Sequence, residues 1–355
     1  MEISKTVNIN LNNFTIQGKE KVFMVDGGSL NLSGNGTIRE TSPNYGAIIL
    51  KGSENPDKKD YTTVSVGSGV KLEGWSGIFI DHNEDNVAYG VLVNMNGKIS
   101  AVDDINGGPG AGIYVNGNVK NKENAPVVNL SDTVEITSTG NGIYSAGYAT
   151  YNIDGAYIEG KESGLGIKSG VFNILDGTIV GSGEDKTPTS GNNNGINPSG
   201  TAIQIESNKG YAGGIELDIK KGTILSKNSN AIYEYTVGSS ETQVDDISLS
   251  GGKYVAGDER TVFNLSNSFK NNYSGFISGG EYSTDPTAYL KSGYGVSLNS
   301  DSMYEVTSST ISVFNEVNGG SSNNLVLILT IILVLLSGFF IYINRNKLFS
   351  LIGKR

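Results

Sequence analysis

The sequence predicts an all-β fold, a right-handed parallel β-helix of about ten coils followed by a single transmembrane α-helix. Three observations predict it: two interleaved ladders of short apolar segments, a glycine-rich composition with no helical stripe, and one long uncharged run near the C-terminus.

The first ladder consists of VFMVD (22–26), AIILK (47–51), GIFID (77–81), GIYVN (112–116), GIYSA (142–146), GIKSG (166–170), AIQIE (202–206), AIYEY (231–235) and VFNLS (262–266). Between its members runs a second type of segment, such as LNLSGNGTI, VLVNMNGKI and FNILDGTI, which ends in an aliphatic residue or Tyr after a polar or Gly-containing bend. Its final positions are Ile16, Ile38, Leu72, Ile99, Ile136, Ile158, Ile179, Ile224, Tyr254 and Tyr282. Their spacing scatters widely above a minimum near 21 residues. A solenoid gives this pattern, because each coil must present the same inward side chains while its turns can grow outward. Two ladders imply at least two sheets around a flattened or triangular tube.

Composition agrees. Of 355 residues 49 are Gly, about twice the usual share, and brief runs of Val, Ile and Tyr alternate with Gly, Asn and Ser. No apolar stripe of period 3.6 precedes Leu325, which excludes helical solenoids, and coils this short cannot hold the four strands of a propeller blade. A β-sandwich is the alternative, but its two-residue Asn-Gly turns are mostly lacking. With no Cys, disulfides, thiolate metal sites and cysteine catalysis are all excluded.

The third element is LVLILTIILVLLSGFFIYI, Leu325 to Ile343, uncharged and long enough as a helix to cross about 30 Å of hydrocarbon. The expected organisation is a β-helical body over 1–298, a closing segment and Gly/Ser/Asn stalk over 299–323, a span over 324–344 and a basic tail over 345–355. The tail places the C-terminus in the cytoplasm and the body outside the cell, with the lipid bilayer as one partner. Export requires an N-terminal signal, and MEISKTVNINLNNFTIQG has neither a basic n-region nor an apolar h-region. The true start is therefore expected upstream; otherwise the body faces the cytoplasm as a tail-anchored protein. No LPxTG-like pentapeptide precedes Leu325, so the anchor is expected to be retained.

The net charge is -10, and near -14 once the four basic residues of the tail are set aside. Such a body repels phosphate backbones, so nucleic acid is not an expected partner. No phosphate-binding glycine loop occurs, and no cofactor is implied.

On these segments the chain resembles the pectate-lyase-like (pectin-lyase fold) right-handed parallel β-helix proteins, and more narrowly the repeat-rich surface proteins of Firmicutes and related bacteria. The likeness spans residues 7–297 and is most specific at SGGEYSTDPTAYLKSGYGV (278–296) and STGNGIYSAGYATYNIDGAYIEG (138–160). It implies a fold and an exterior address. The family's catalytic motifs do not carry over: Arg in the body is limited to Arg39 and Arg260, the NTD, GHG and RIK segments are missing, and the sole His is His82.

Alternation along the first ladder sends the second and fourth residues inward and the third and fifth to solvent. The third positions stack as Phe79, Tyr114, Tyr144, Lys168, Gln204 and Tyr233, and the fifth as Asp81, Asn116, Ala146, Gly170, Glu206 and Tyr235. Rings beside amides and carboxylates suit sugars, so Tyr114, Tyr144, Lys168, Gln204, Glu206, Tyr233 and Tyr235 form a candidate glycan-binding stripe. The bland counterpart is that stacked rings stabilise neighbouring rungs and need no ligand. Glu206 and Glu234, in adjacent coils, are the best guess at a hydrolytic carboxylate pair, with Glu234 expected inward. Asp103 with Asp104, and Asp245 with Asp246, are sequence neighbours and so point to opposite faces of a strand. In DHNEDN, Asp81, Asn83, Glu84 and Asp85 look like the opening of a Ca²⁺ loop, but Gly at position six and Glu at position twelve are missing.

The expected function is membrane-anchored adhesion or glycan contact at the cell surface, toward a host or neighbouring cell, without catalysis. The alternatives are a polysaccharide lyase or glycoside hydrolase of the same fold, and a passive stalk.

Overall fold

The computed structural model describes residues 1–82, 87–117, 122–187, 199–237 and 242–309. The chain divides into two compact units, Met1–Ser292 with Val296–Val306, and Gly293–Gly295 with Thr307–Arg355. Of the second, 293–295 and 307–309 are described. The expected stalk from 310 onward, the span over 324–344 and the basic tail lie outside the described residues. Among the described residues no helix is long and apolar enough to cross a membrane.

The first unit is all-β and built from long parallel sheets, the arrangement that fits a β-helix. Each coil contributes three strands, here assigned to faces A, B and C. The opening coils show the plan: Thr6–Asn10, Thr15–Gly18 and Lys21–Asp26, then Ser29–Ser33, Gly36–Glu40 and Gly46–Lys51. Every strand pairs in parallel with the strand of the same face one coil later. Face C forms a sheet of its own. Faces A and B merge because Thr150–Gly160 and Gly170–Gly181 run through the bend between them as single strands with a bulge.

The second ladder is face B. Ile16, Ile38, Leu72, Ile99, Ile136, Ile158, Ile179, Ile224, Tyr254 and Tyr282 stack in register, each directly above the last. The first ladder supplies face C, with Phe23, Ile48, Ile78, Ile113, Ile143, Leu165, Ile203, Ile232 and Phe263 in one row. Face A completes the core through Leu30, Val64, Val93, Val128, Tyr151, Phe172 and Leu217. Apart from Ile16, which is half-buried in an opening coil, these side chains are buried, each contributing about 1.5–3 kcal/mol of apolar transfer. Inside the tube Tyr151 stacks on Phe172 at 4.3 Å and Tyr254 on Tyr282 at 4.6 Å.

Two sets of glycines hold this geometry. Gly155, Gly177, Gly222, Gly252 and Gly280 precede face B in successive coils at φ between 91° and 133°, a bend open to few other residues. Gly77, Gly112, Gly142 and Gly164 begin face C against the face B aliphatics; a Cβ on Gly112 would lie 2.2 Å from Ile136 Cγ2. The last strand of face C, Phe263–Leu265, leads into a short helix, Asn267–Asn272, whose N-cap Ser266 accepts from Phe269 N at 3.1 Å. Tyr282 then pairs antiparallel with Tyr304, which ends the parallel pattern.

Candidate functional site

The outer side of face C carries the stripe expected from the sequence, with a different register in one coil. Tyr144 is level with Gly166, and Gly166 with Gln204. Lys168 therefore does not continue the Tyr144 row; it stands two residues further along, beside Glu206 in the fifth row. The coil's inward pair is Leu165 and Ile167, and the likeness of GIKSG to GIYSA hides this shift.

The stripe is not open to solvent through the middle coils. Tyr144, Lys168, Gln204 and Glu206 are each only 2–3% exposed, and Tyr114, Tyr233 and Tyr235 are half-buried. Trp75, Phe79, Tyr114 and Tyr144 form a continuous run of ring contacts, with Tyr114 and Tyr144 at 4.7 Å. Burial pushes the Tyr114 phenol up to about 12 and that of Tyr144 further still, so both stay neutral.

What covers this section is Tyr211, on the turn after the face C strand Thr201–Asn208. Lys168 Nζ lies 2.8 Å from Glu206, donates to the Tyr211 hydroxyl at 3.3 Å, and sits 4.8 Å from the Tyr211 ring and 5.6 Å from that of Tyr144. Glu206 also accepts from the Tyr235 hydroxyl at 2.7 Å and from Asn208 Nδ2 at 2.8 Å. Gln204 accepts from Ser199 Oγ at 2.6 Å and donates to the Tyr235 hydroxyl at 3.3 Å. This is a closed polar network in which each member has a partner within the protein.

Glu206 and Glu234 are not brought together. Glu206 is level with Tyr235 on the outer side, whereas Glu234 is level with Ile205 and Leu265 on the inner side. There Glu234 accepts from Ser207 Oγ at 2.9 Å, Thr236 Oγ1 at 3.2 Å and the backbone N–H of Ser266 at 3.0 Å. Donors within the tube thus answer the cost of burying this carboxylate.

A cleft opens on face C in its early coils. There the fifth positions Asp26, Lys51 and Asp81 stack in register as a ladder of alternating charge. Lys51 forms an ion pair with Asp81 and donates to the His82 carbonyl at 3.2 Å, and Tyr61 OH donates to Asp26 at 2.9 Å. That bond to Asp26 holds the Tyr61 proton and raises its pKa. These groups line a cleft of about 760 Å³ together with Met24, Glu54, Asn55 and His82. Of the candidate Ca²⁺ ligands, Asp81 is engaged by Lys51, while Asn83, Glu84 and Asp85 lie outside the described residues. Among the described residues no group of three or more His, Asp or Glu is placed to hold a metal ion.

Asp26 and Lys51 were readable as the fifth residues of VFMVD and AIILK, the two segments before the one that contains Asp81. Tyr61 gave no such signal, since it sits in the insertion that carries the chain from face C back to face A. Comparisons with protein-family models, curated proteins and solved structures found no match. Fold and site together define a parallel β-repeat protein with a ligand-sized cleft on the outer side of one face.

Proposed function

We propose that this chain is a membrane-anchored bacterial surface protein whose body is a right-handed parallel β-helix of the pectin-lyase kind, and that it binds glycan without cleaving it. One observation carries the reading: the cleft on face C sets the Tyr61 ring beside Asp26, Lys51, Glu54, Asn55 and Asp81 on a rigid parallel sheet. A ring gives a sugar an apolar surface, and the flanking carboxylates and amide take its hydroxyls. Three acids against one Lys make the cleft acidic, which favours neutral or amino sugars over uronates.

The test is a glycan array probed with the full chain in detergent. Binding to neutral or amino sugars, lost in Tyr61→Ala and weakened in Asn55→Ala, is the expected result. Silence on the array, binding untouched by Tyr61→Ala, or cleavage of a bound glycan would overturn it. Surface exposure is checked separately, by protease treatment of intact cells that express the chain with a C-terminal tag.

A further inference from the structure

We infer that the outer side of face A is a second binding surface, for an extended, uncharged polyhydroxylated chain lying along the coil axis. Face A is a different face from the one that carries the cleft, and the two surfaces bind independently.

Asn8, Asn31, Ser65, Asn94, Asn129, Asn152 and Asn173 stand in register on the outer side of face A, one per coil. The amides are hydrogen-bonded in two runs on either side of Ser65: Nδ2 of Asn31 donates to Asn8 at 2.8 Å, and beyond Ser65 Asn129 donates to Asn94 at 2.9 Å, Asn152 to Asn129 at 2.9 Å and Asn173 to Asn152 at 3.0 Å. An amide that gives one N–H and takes one bond keeps a second N–H and a second lone pair. Asn129 and Asn152 thus each hold a spare donor and acceptor beside each other, at a repeat of roughly 4.8 Å. That repeat is close to the length of one sugar residue in an extended chain.

The charge distribution selects the ligand. From Thr6 to Asn173 the outward positions of the face A strands carry a single charged side chain, Asp154. Face B is the opposite, with Arg39, Lys71, Glu73, Lys98 and Glu135 tied in ion pairs within and across coils, an ordinary solvated surface. In a chain of net charge -10, a strip with one charge among its outward positions fits a neutral partner. A groove of about 370 Å³ runs over this strip at Asn94, Asn129 and Asn152, with Asp154 as its one charged group and Leu175, which is 38% exposed, as an apolar edge. A second copy of the protein is the other possible occupant, and area decides against it. Seven rungs of five-residue strands present roughly 500 Å². A stable protein interface needs roughly 800 Å² from each side.

The test is native affinity electrophoresis of the full chain in detergent, through gels containing hydroxyethylcellulose, glucomannan or polygalacturonate, with mobility normalised to a polymer-free gel. A neutral polymer slows the protein, and added salt does not relieve the effect. Thr150→Lys puts a charge on the same face without touching the amide ladder. It weakens retardation about ten-fold at an unchanged unfolding midpoint, Asn152→Lys weakens retardation and also lowers the midpoint by breaking two ladder bonds, and Tyr61→Ala leaves retardation intact. Retardation by polygalacturonate alone, by no polymer, or equally in Thr150→Lys overturns the inference. Loss in Tyr61→Ala alone also overturns it, while leaving the cleft reading in place.

Discussion

Replacing Glu206 with Gln is expected to destabilise the middle coils far more than an exposed charge deletion does. Lys168 and Glu206 are 2.8 Å apart with side chains 3% and 4% exposed. At an effective dielectric constant of about 20 their attraction is about 6 kcal/mol, which offsets a desolvation cost of several kcal/mol for each ion. The intact pair is therefore close to neutral for stability. Removing one charge leaves the desolvation of Lys168 uncompensated, since rings and a phenol attract an ammonium without neutralising it. The expected loss is about 3–5 kcal/mol in Glu206→Gln. Lys168→Met combined with Glu206→Leu recovers most of that loss, because no buried charge remains. Denaturant midpoints for the two variants and the parent decide the matter, read as midpoints because repeat arrays need not unfold in two states. A loss below about 1 kcal/mol in Glu206→Gln, the range of an exposed pair, would refute the burial argument.

Further outcomes follow from the core and its bends. Gly112→Val drives a side chain against Ile136 Cγ2 and the carbonyl of Gly142, and lowers stability by about 3 kcal/mol in the same assay. Tyr282→Phe removes a buried 2.8 Å bond to the Gly279 carbonyl, costing about 1–2 kcal/mol and speeding hydrogen exchange in the closing coil. Burial raises the Glu162 carboxyl to about 7. The folded state then holds its proton more tightly than the unfolded state, so stability is greatest below the unfolded carboxyl value and falls as pH rises toward 7. Glu162→Gln flattens that slope; an unchanged slope in unfolding midpoints across the range would show the burial has no titration consequence.

The inward rows were legible because burial selects aliphatic and aromatic residues at the same place in each coil whatever the length of its turns, as from Ile16 to Tyr282 on face B. The register at Lys168 was not, since Gly166 and Gly164 both satisfy the steric demand of their slots and GIKSG can be read two residues out of step. Closure of the stripe was also hidden: Tyr211 reaches Lys168 across 43 residues, and nothing local to either residue announces the contact. The cleft divides in the same way. Asp26 and Lys51 follow from strand alternation, whereas Tyr61 arrives from an insertion whose path depends on packing. The amide ladder was visible in VNIN, VLVN, VVNL, YNID and FNIL, each with Asn between two apolar residues, but only the pairing of coils turns those scattered asparagines into a line.

That line has a direction. Each of its four amide–amide bonds runs the same way, from the Nδ2 of one coil to the amide oxygen of the coil before, so the small dipoles add rather than cancel. A linear polymer is likewise different at its two ends. A surface polarised along the run from Asn94 to Asn173 would distinguish a chain laid forward from the same chain reversed, and so would fix which end of the polymer points toward the later coils.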